Sequence, residues 1–374
     1  MKKMTLLMLL AAMNLRLSVT ALPPLFHLIQ QDLIISKPLI ALLVTIPLLC
    51  FGAGSLLAPR LIQELGIKTM LLLTTGLLIL ANLIRPFNVF TLISGTFLVG
   101  LAIAGLNITV PTMIAQMNQA NPTRLTSDYS LVMTVVAAIG TAVALPLASR
   151  ISWQAVMALF ALPAVITWLC TYFLLPQATR PTKTPHPSQH NLLAIFKHDR
   201  QVQKLALFMG GQSLIFYTLV TWLPTIYQAI GATSTEAGTL FAVFQFIGVP
   251  AAALLNIFRS QRQTLRWLLV GYSLGFACLA WSGIGWWLSA LILGLTCALM
   301  FSFALNLIAT SSRDTTTITN RSAIAQAIGY LLAAIGPVLI GQLQNLTQSW
   351  LIPILSLVGL MLLTILIGFR TTND

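Results

Sequence analysis

Residues 4–29 read MTLLMLLAAMNLRLSVTALPPLFHLI, an apolar run long enough to cross a bilayer, with Arg16 near its middle. Twelve residues separate Met4 from Arg16. As helix, they put the guanidinium roughly 18 Å into a hydrocarbon core of about 30 Å. A cation at that depth faces a polar cavity or a partner, because facing lipid costs several kcal/mol. Two roles for Arg16 are open from the sequence. It contacts a solute, or it ties two helices together through backbone carbonyls or an amide side chain. Asn14 lies two residues earlier, off the face of Arg16, and is expected to pack against a neighbouring helix.

The composition extends this run to the whole chain. Of 374 residues, 57% are hydrophobic and 7% charged, and the mean hydropathy is +0.90. A soluble domain carries about 25% charged residues, so this is a polytopic membrane protein. The net charge of +13 does not point to nucleic acid, because the basic residues stand singly between apolar runs and read as topology signals. Lys2 and Lys3 ahead of the first run resemble a secretory leader. Asn14 and Arg16 interrupt that run, and no small-residue cleavage site precedes a soluble domain, so an uncleaved first helix is expected. Cys50, Cys170, Cys278 and Cys297 lie in apolar runs without a metal-ligand spacing. They are expected to be packing residues, with no disulfide, no metal and no cofactor.

At about 20 apolar residues per span, twelve helices are expected. They lie at about 4–29, 38–58, 68–85, 89–117, 126–148, 153–175, 203–227, 236–258, 265–283, 286–309, 322–343 and 350–369. The expected fold is an all-α polytopic membrane protein of two six-helix bundles, at 1–178 and 203–374, joined by a cytoplasmic linker at 179–202. Pro176, Pro181, Pro185 and Pro187 mark that linker as a tether. Its second half, Asn191 to Arg200, reads equally as a short interfacial helix or as a solvated strand of tether. With the N-terminus inside, sixteen basic residues fall in inner segments and only Lys37, Arg85 and Arg150 in outer ones. That bias predicts both termini in the cytoplasm.

The seven acids, Asp32, Glu64, Asp128, Asp199, Glu236, Asp314 and Asp374, all sit in loops or near helix ends. A proton-coupled drug exporter commonly carries a carboxylate inside the membrane, and this chain has none there. A guanidinium without such a partner favours an anionic or neutral polar solute over a cation. Further polar residues fall within the runs. Asn107 precedes Pro111 by four, so the proline frees the Asn107 carbonyl. In helix 7, Gln212 pairs in register with Phe216, and Ser213 with Tyr217; in helix 11, Gln326 pairs with Tyr330. Pro111, Pro224 and Pro337 are candidate gating bends. Each polar residue taken singly fits an interhelical hydrogen bond as well as solute contact. His27 near the outer end of helix 1 reads as an interfacial residue rather than a titrating gate.

Several of these segments together resemble one family. Asn14-Leu15-Arg16 with Pro23-Pro24-Leu25 is similar to its helix 1 signature. Pro47 to Gly52 with Leu57-Ala58-Pro59-Arg60-Leu61 is similar to its helix 2 and inner loop. Asn107 to Pro111, Gln212 to Tyr217 with Trp222-Leu223-Pro224 and Glu236-Ala237-Gly238, and Ala325 to Pro337 resemble its helices 4, 7, 8 and 11. The chain thus resembles the cyanate/2-nitroimidazole transporter family of the major facilitator superfamily. Leu17 stands where that family often has proline, and Ala115 where it often has a basic residue.

The resemblance implies a secondary transporter of small anions or small nitro-heteroaromatics, with one central site and alternating access. The expected solute-binding residues are Arg16, Asn107, Gln212, Tyr217, Gln326 and Tyr330. The expected partners are a small-molecule substrate, the lipid bilayer and a coupling ion such as a proton. A monomer is expected, and nucleic acid is not a partner. A drug/proton antiporter exporting small aromatic compounds is the alternative. A non-transporting membrane sensor would need a soluble module that the tether is too short to hold. No paired carboxylates, Ser/His/Asp set or metal cluster suggests an enzyme.

Overall fold

The computed structural model describes residues 2–116, 122–175, 189–254, 257–258, 260–312 and 315–372. The proline-rich part of the tether, at 176–188, lies outside the described residues. The chain divides into two compact units, Met1–Pro185 and His186–Asp374. The first holds α1 (Lys2–Ala12), α2 (Leu17–Thr20), α3 (Phe26–Leu33), α4 (Lys37–Ile84), α5 (Val89–Gln116), α6 (Pro122–Ala148), α7 (Trp153–Leu159) and α8 (Leu162–Leu174). The second holds α9 (Gln189–His198), α10 (Arg200–Ala229), α11 (Ser234–Phe246), α12 (Ala251–Leu254), α13 (Gln261–Ala277), α14 (Ile284–Ala309), α15 (Thr315–Thr347) and α16 (Leu351–Thr371).

Among the described residues, ten segments are long and apolar enough to cross a membrane. They correspond to ten of the twelve expected helices. The other two are shorter. The eighth is split into α11 and α12 by a turn ending at Pro250, which disfavours helix in the residue before it. The ninth, α13, has 17 residues. Apolar side chains turn outward from both units, as Phe90 (79% exposed), Phe173 (76%) and Leu366 (60%) do. An apolar exterior of this kind suits lipid.

Two further differences from the expected elements have local causes. A loop was expected between helices 2 and 3 at about 59–67, but the helix continues through Arg60 and turns at Gly66, with φ 77° and ψ 162°. Side chains rarely adopt that conformation, so glycine fixes the place of the turn. The first run is not one helix at all, as described below. Packing within each unit is close. In the N-terminal unit α4 lies along α5. A Cβ at Gly100 would stand 2.8 Å from the Cys50 sulfur and 2.9 Å from the Pro47 Cα, so only glycine lets these helices approach. In the C-terminal unit α10 lies along α15, and a Cβ at Gly336 would meet the Thr218 hydroxyl at 2.3 Å.

Of the two readings left open for the second half of the tether, the structure shows a helix, α9. It packs on α10 and α15.

Candidate functional site

The first span breaks twice, and both breaks follow from its sequence. After α1, the amides of Asn14 and Leu15 reach back only three residues, to the carbonyls of Ala11 and Ala12. The Leu10 carbonyl is taken instead by the Asn14 side chain, at 3.0 Å. An amide side chain that substitutes for its own backbone N–H unwinds the turn. The second break comes at Pro23 and Pro24. Neither has an N–H to offer the carbonyl four residues back, which leaves those of Val19 and Thr20 without intrahelical donors. The chain passes through a one-turn helix, α2, and a 3-10 turn at Pro23–Leu25 before α3.

Side chains from three helices hold the broken stretch. From α8, the Thr167 hydroxyl accepts from Asn14 at 3.0 Å and lies 3.0 Å from the Leu10 carbonyl. Asn14 thus packs against a neighbouring helix, as its spacing predicts. From α6, the Thr141 hydroxyl lies 3.2 Å from the orphaned Thr20 carbonyl. From α4, Asn82 donates to the Ser18 hydroxyl at 3.1 Å, and from the residue that caps its end, Arg85 Nη1 donates to the Ser18 carbonyl at 3.0 Å.

Arg16 sits at the non-helical position ahead of α2, with φ −130° and ψ −30°. It is half-buried. Its carbonyl takes the amides of Val19 and Thr20, at 3.0 and 2.9 Å, and the Thr20 hydroxyl at 3.1 Å. Asn107 is half-buried in α5, with Pro111 inside that helix four residues on.

The sequence places Arg85 in an outer segment, and the structure adds that it does not stand free at the end of its helix. Arg85 is wholly buried, and Nε and Nη2 have no hydrogen-bond partner among the described residues. The only sequence signal was position. Arg85 closes an apolar run one residue before Pro86, which the loop-charge count treats the same as any flanking cation.

In the C-terminal unit the expected aromatic residues come together. Tyr217 on α10 and Tyr330 on α15 have ring centroids 6.4 Å apart. Phe216 meets Tyr217 edge-on at 5.1 Å and stacks on Phe244 of α11 at 6.3 Å. The two amides turn to their own helices. Gln212, 2% exposed, donates to the Ser213 hydroxyl at 2.6 Å. Gln326, half-buried, donates to the Ser322 hydroxyl at 2.9 Å. Pro224 and Pro337 lie inside α10 and α15, and the Pro337 carbonyl accepts the Trp222 indole N–H at 2.8 Å.

A separate cleft of about 360 Å³ lies at the start of α10 and is lined by Ile195, His198, Asp199, Thr317 and Arg321. Asp199 caps α10 with one oxygen, which accepts the Gln201 and Val202 amides at 2.8 and 3.3 Å. Its other oxygen accepts Nε and Nη2 of Arg321 at 3.1 and 2.8 Å. None of the six expected solute residues lines this cleft.

The profile of the Major Facilitator Superfamily matches residues 5–337. The chain belongs to this superfamily. Three relatives cover nearly all of it. An uncharacterized transporter, YycB, of Bacillus subtilis is 30% identical over 93% of this chain and 88% of its own. The 2-nitroimidazole transporter of Escherichia coli is 29% identical over 98% and 94%. The cyanate transport protein CynX of Escherichia coli is 24% identical over 97% and 96%. The crystal structure of a D-xylose–proton symporter has the same fold, with a TM-score of 0.81 at 15% identity over 100% of this chain and 98% of that one. This Major Facilitator Superfamily chain is therefore a multi-pass membrane protein of a transporter family, not an enzyme.

Proposed function

We propose that the chain is a secondary active transporter of the bacterial inner membrane, with both termini cytoplasmic. It moves a small polar or anionic solute, cyanate-like or nitroimidazole-like, by alternating access between two bundles at 1–178 and 203–374. The observation that carries this is the break at Met13–Arg16. Discontinuous helices within a membrane are where transporters expose backbone polar groups and ligand-binding side chains. Here the break puts a half-buried arginine outside regular helix at mid-span. A guanidinium with five donors suits a small anion, a nitro group or another electron-rich acceptor. In the C-terminal unit, the rings of Phe216, Tyr217, Phe244 and Tyr330 supply faces and edges on which a planar heteroaromatic can stack. Asn107, Gln212 and Gln326 are the accompanying polar groups, and Pro111, Pro224 and Pro337 the bends.

The test is counterflow of labelled 2-nitroimidazole and cyanate in proteoliposomes, with and without an imposed pH gradient. Arg16→Ala is expected to insert normally and lose transport. Wild-type rates in both Arg16→Ala and Arg16→Lys would overturn the assignment of Arg16. Export of cationic aromatics driven by the pH gradient would favour the antiporter instead.

A further inference from the structure

Arg85 ties the end of α4 to the broken first span. Its guanidinium is wholly buried, yet only Nη1 is used, on the Ser18 carbonyl. Arg85 makes no ion pair among the described residues, and Nε and Nη2 are unpartnered. Burying a cation under those conditions is costly. Asn82 holds the Ser18 hydroxyl beside it through a neutral amide. The surroundings are also shaped for this side chain. Gly95 on α5 lies directly against it: a Cβ there would stand 2.5 Å from the Arg85 Cγ and 3.1 Å from the Ala81 carbonyl oxygen.

What Arg85 holds is the broken stretch itself. Ser18 is two residues beyond Arg16, inside the single turn of α2. Asn82 in the last turn of α4 and Arg85 at its C-cap, three residues apart, grip Ser18 at its hydroxyl and its carbonyl. Arg16 is the position that leads into that turn, and its own carbonyl is fixed by Val19 and Thr20 of the same turn. The orientation of α2 and the direction of the Arg16 side chain are therefore set together.

We propose that Arg85 is a positioning residue: it fixes the broken middle of the first span and so sets how Arg16 presents its guanidinium to the solute. This rests on Arg16 being the solute-binding group, as proposed above. Arg85 does not touch solute in this account and acts through α2.

The experiment compares wild type, Arg85→Gln, Arg85→Lys and Gly95→Ala in proteoliposomes, with 2-nitroimidazole and cyanate as probes. Hydrogen exchange of the amides at 13–22 is followed in the same preparations. Arg85→Gln, whose shorter and uncharged amide does not replace the charged hydrogen bond to Ser18, is expected to raise KM roughly tenfold and to speed exchange at 13–22. Lysine, which keeps the charge and a donor, restores part of both. Gly95→Ala leaves Arg85 in the chain but displaces it, so it moves both readouts in the same direction even if Arg85→Gln fails to insert. In an Arg16→Lys background, Arg85→Gln raises KM by less than it does in wild type, because the two act on one interaction. Unchanged KM with faster exchange would make Arg85 merely structural and overturn the proposal, as would unchanged exchange. Wild-type protein that transports neither probe would sink the solute assignment instead. The exchange comparison would then still decide whether Arg85 sets the break.

Discussion

The indole N–H of Trp222 donates to the carbonyl of Pro337 at 2.8 Å, joining α10 to α15 at the proline of α15. Trp222 is 1% exposed and packs on Trp350 at 5.6 Å between ring centroids. A Cβ at Gly341 would stand 2.6 Å from its ring. The two helices are locked here by one hydrogen bond and by a ring filling the space a glycine leaves.

Trp222→Phe removes the hydrogen bond and keeps most of the ring. Interhelical hydrogen bonds in membranes contribute about 0.6 kcal/mol on average and up to about 1.7, so a small loss in thermal stability is expected. Trp222→Ala also opens a cavity and should cost about 3–5 kcal/mol. A melt of purified protein in detergent checks both, and equal losses for the two variants would contradict the packing role.

Asp199 carries a pH dependence. Its partial burial raises the carboxyl pKa. The Arg321 hydrogen bonds, the Val202 and Gln201 amides and the Arg321 charge outweigh that, and hold it below the ordinary carboxylate range. A depressed folded-state pKa contributes stability above the unfolded pKa, lost as pH falls through the folded one. Asp199→Asn keeps a competent helix cap and loses the ion pair, which for a part-exposed pair is worth at most about 1 kcal/mol. The melting difference between wild type and Asp199→Asn should be full at pH 7 and vanish once both carboxyl states are protonated in acid. A difference that does not change with pH would exclude the ion pair as its source.

Tyr330 tests the aromatic group. If the Tyr217–Tyr330 pair stacks planar solutes, Tyr330→Ala should weaken 2-nitroimidazole transport by roughly tenfold, the loss of about one good aromatic contact. Cyanate, which has no ring, should be nearly unaffected. Equal loss for the two solutes would mean that Tyr330 only packs the helices.

Much of the fold was legible because a bilayer imposes one length and one polarity on each span. Runs of about 20 apolar residues separated by polar turns gave ten of the expected spans, and the prolines and glycines gave the punctuation. The breaks of the first span were visible only as ingredients. Asn14, Pro23 and Pro24 each remove or divert a backbone hydrogen bond, but whether a membrane helix tolerates this depends on what its neighbours offer. Thr141, Thr167, Asn82 and Arg85 are those neighbours, and all are more than sixty residues away in the chain.

The pairing of Tyr217 with Tyr330 was likewise beyond periodicity, which assigns residues to faces of one helix but not to facing helices. The burial of Arg85 was not legible, because a cation at the end of an apolar run usually reaches water and only packing shows that this one does not.

The sequence by itself determined the membrane class, the near-absence of charge from the spans, the superfamily and the central position of Arg16, since each depends on local composition or order along the chain. The tertiary structure alone decided that the first span is broken, that its Leu10, Ser18 and Thr20 carbonyls meet side chains from elsewhere in the N-terminal unit, and that the buried guanidinium of Arg85 holds the turn that follows Arg16. Unpaired backbone groups in a membrane must find partners somewhere, and where they find them is a property of packing rather than of any one stretch.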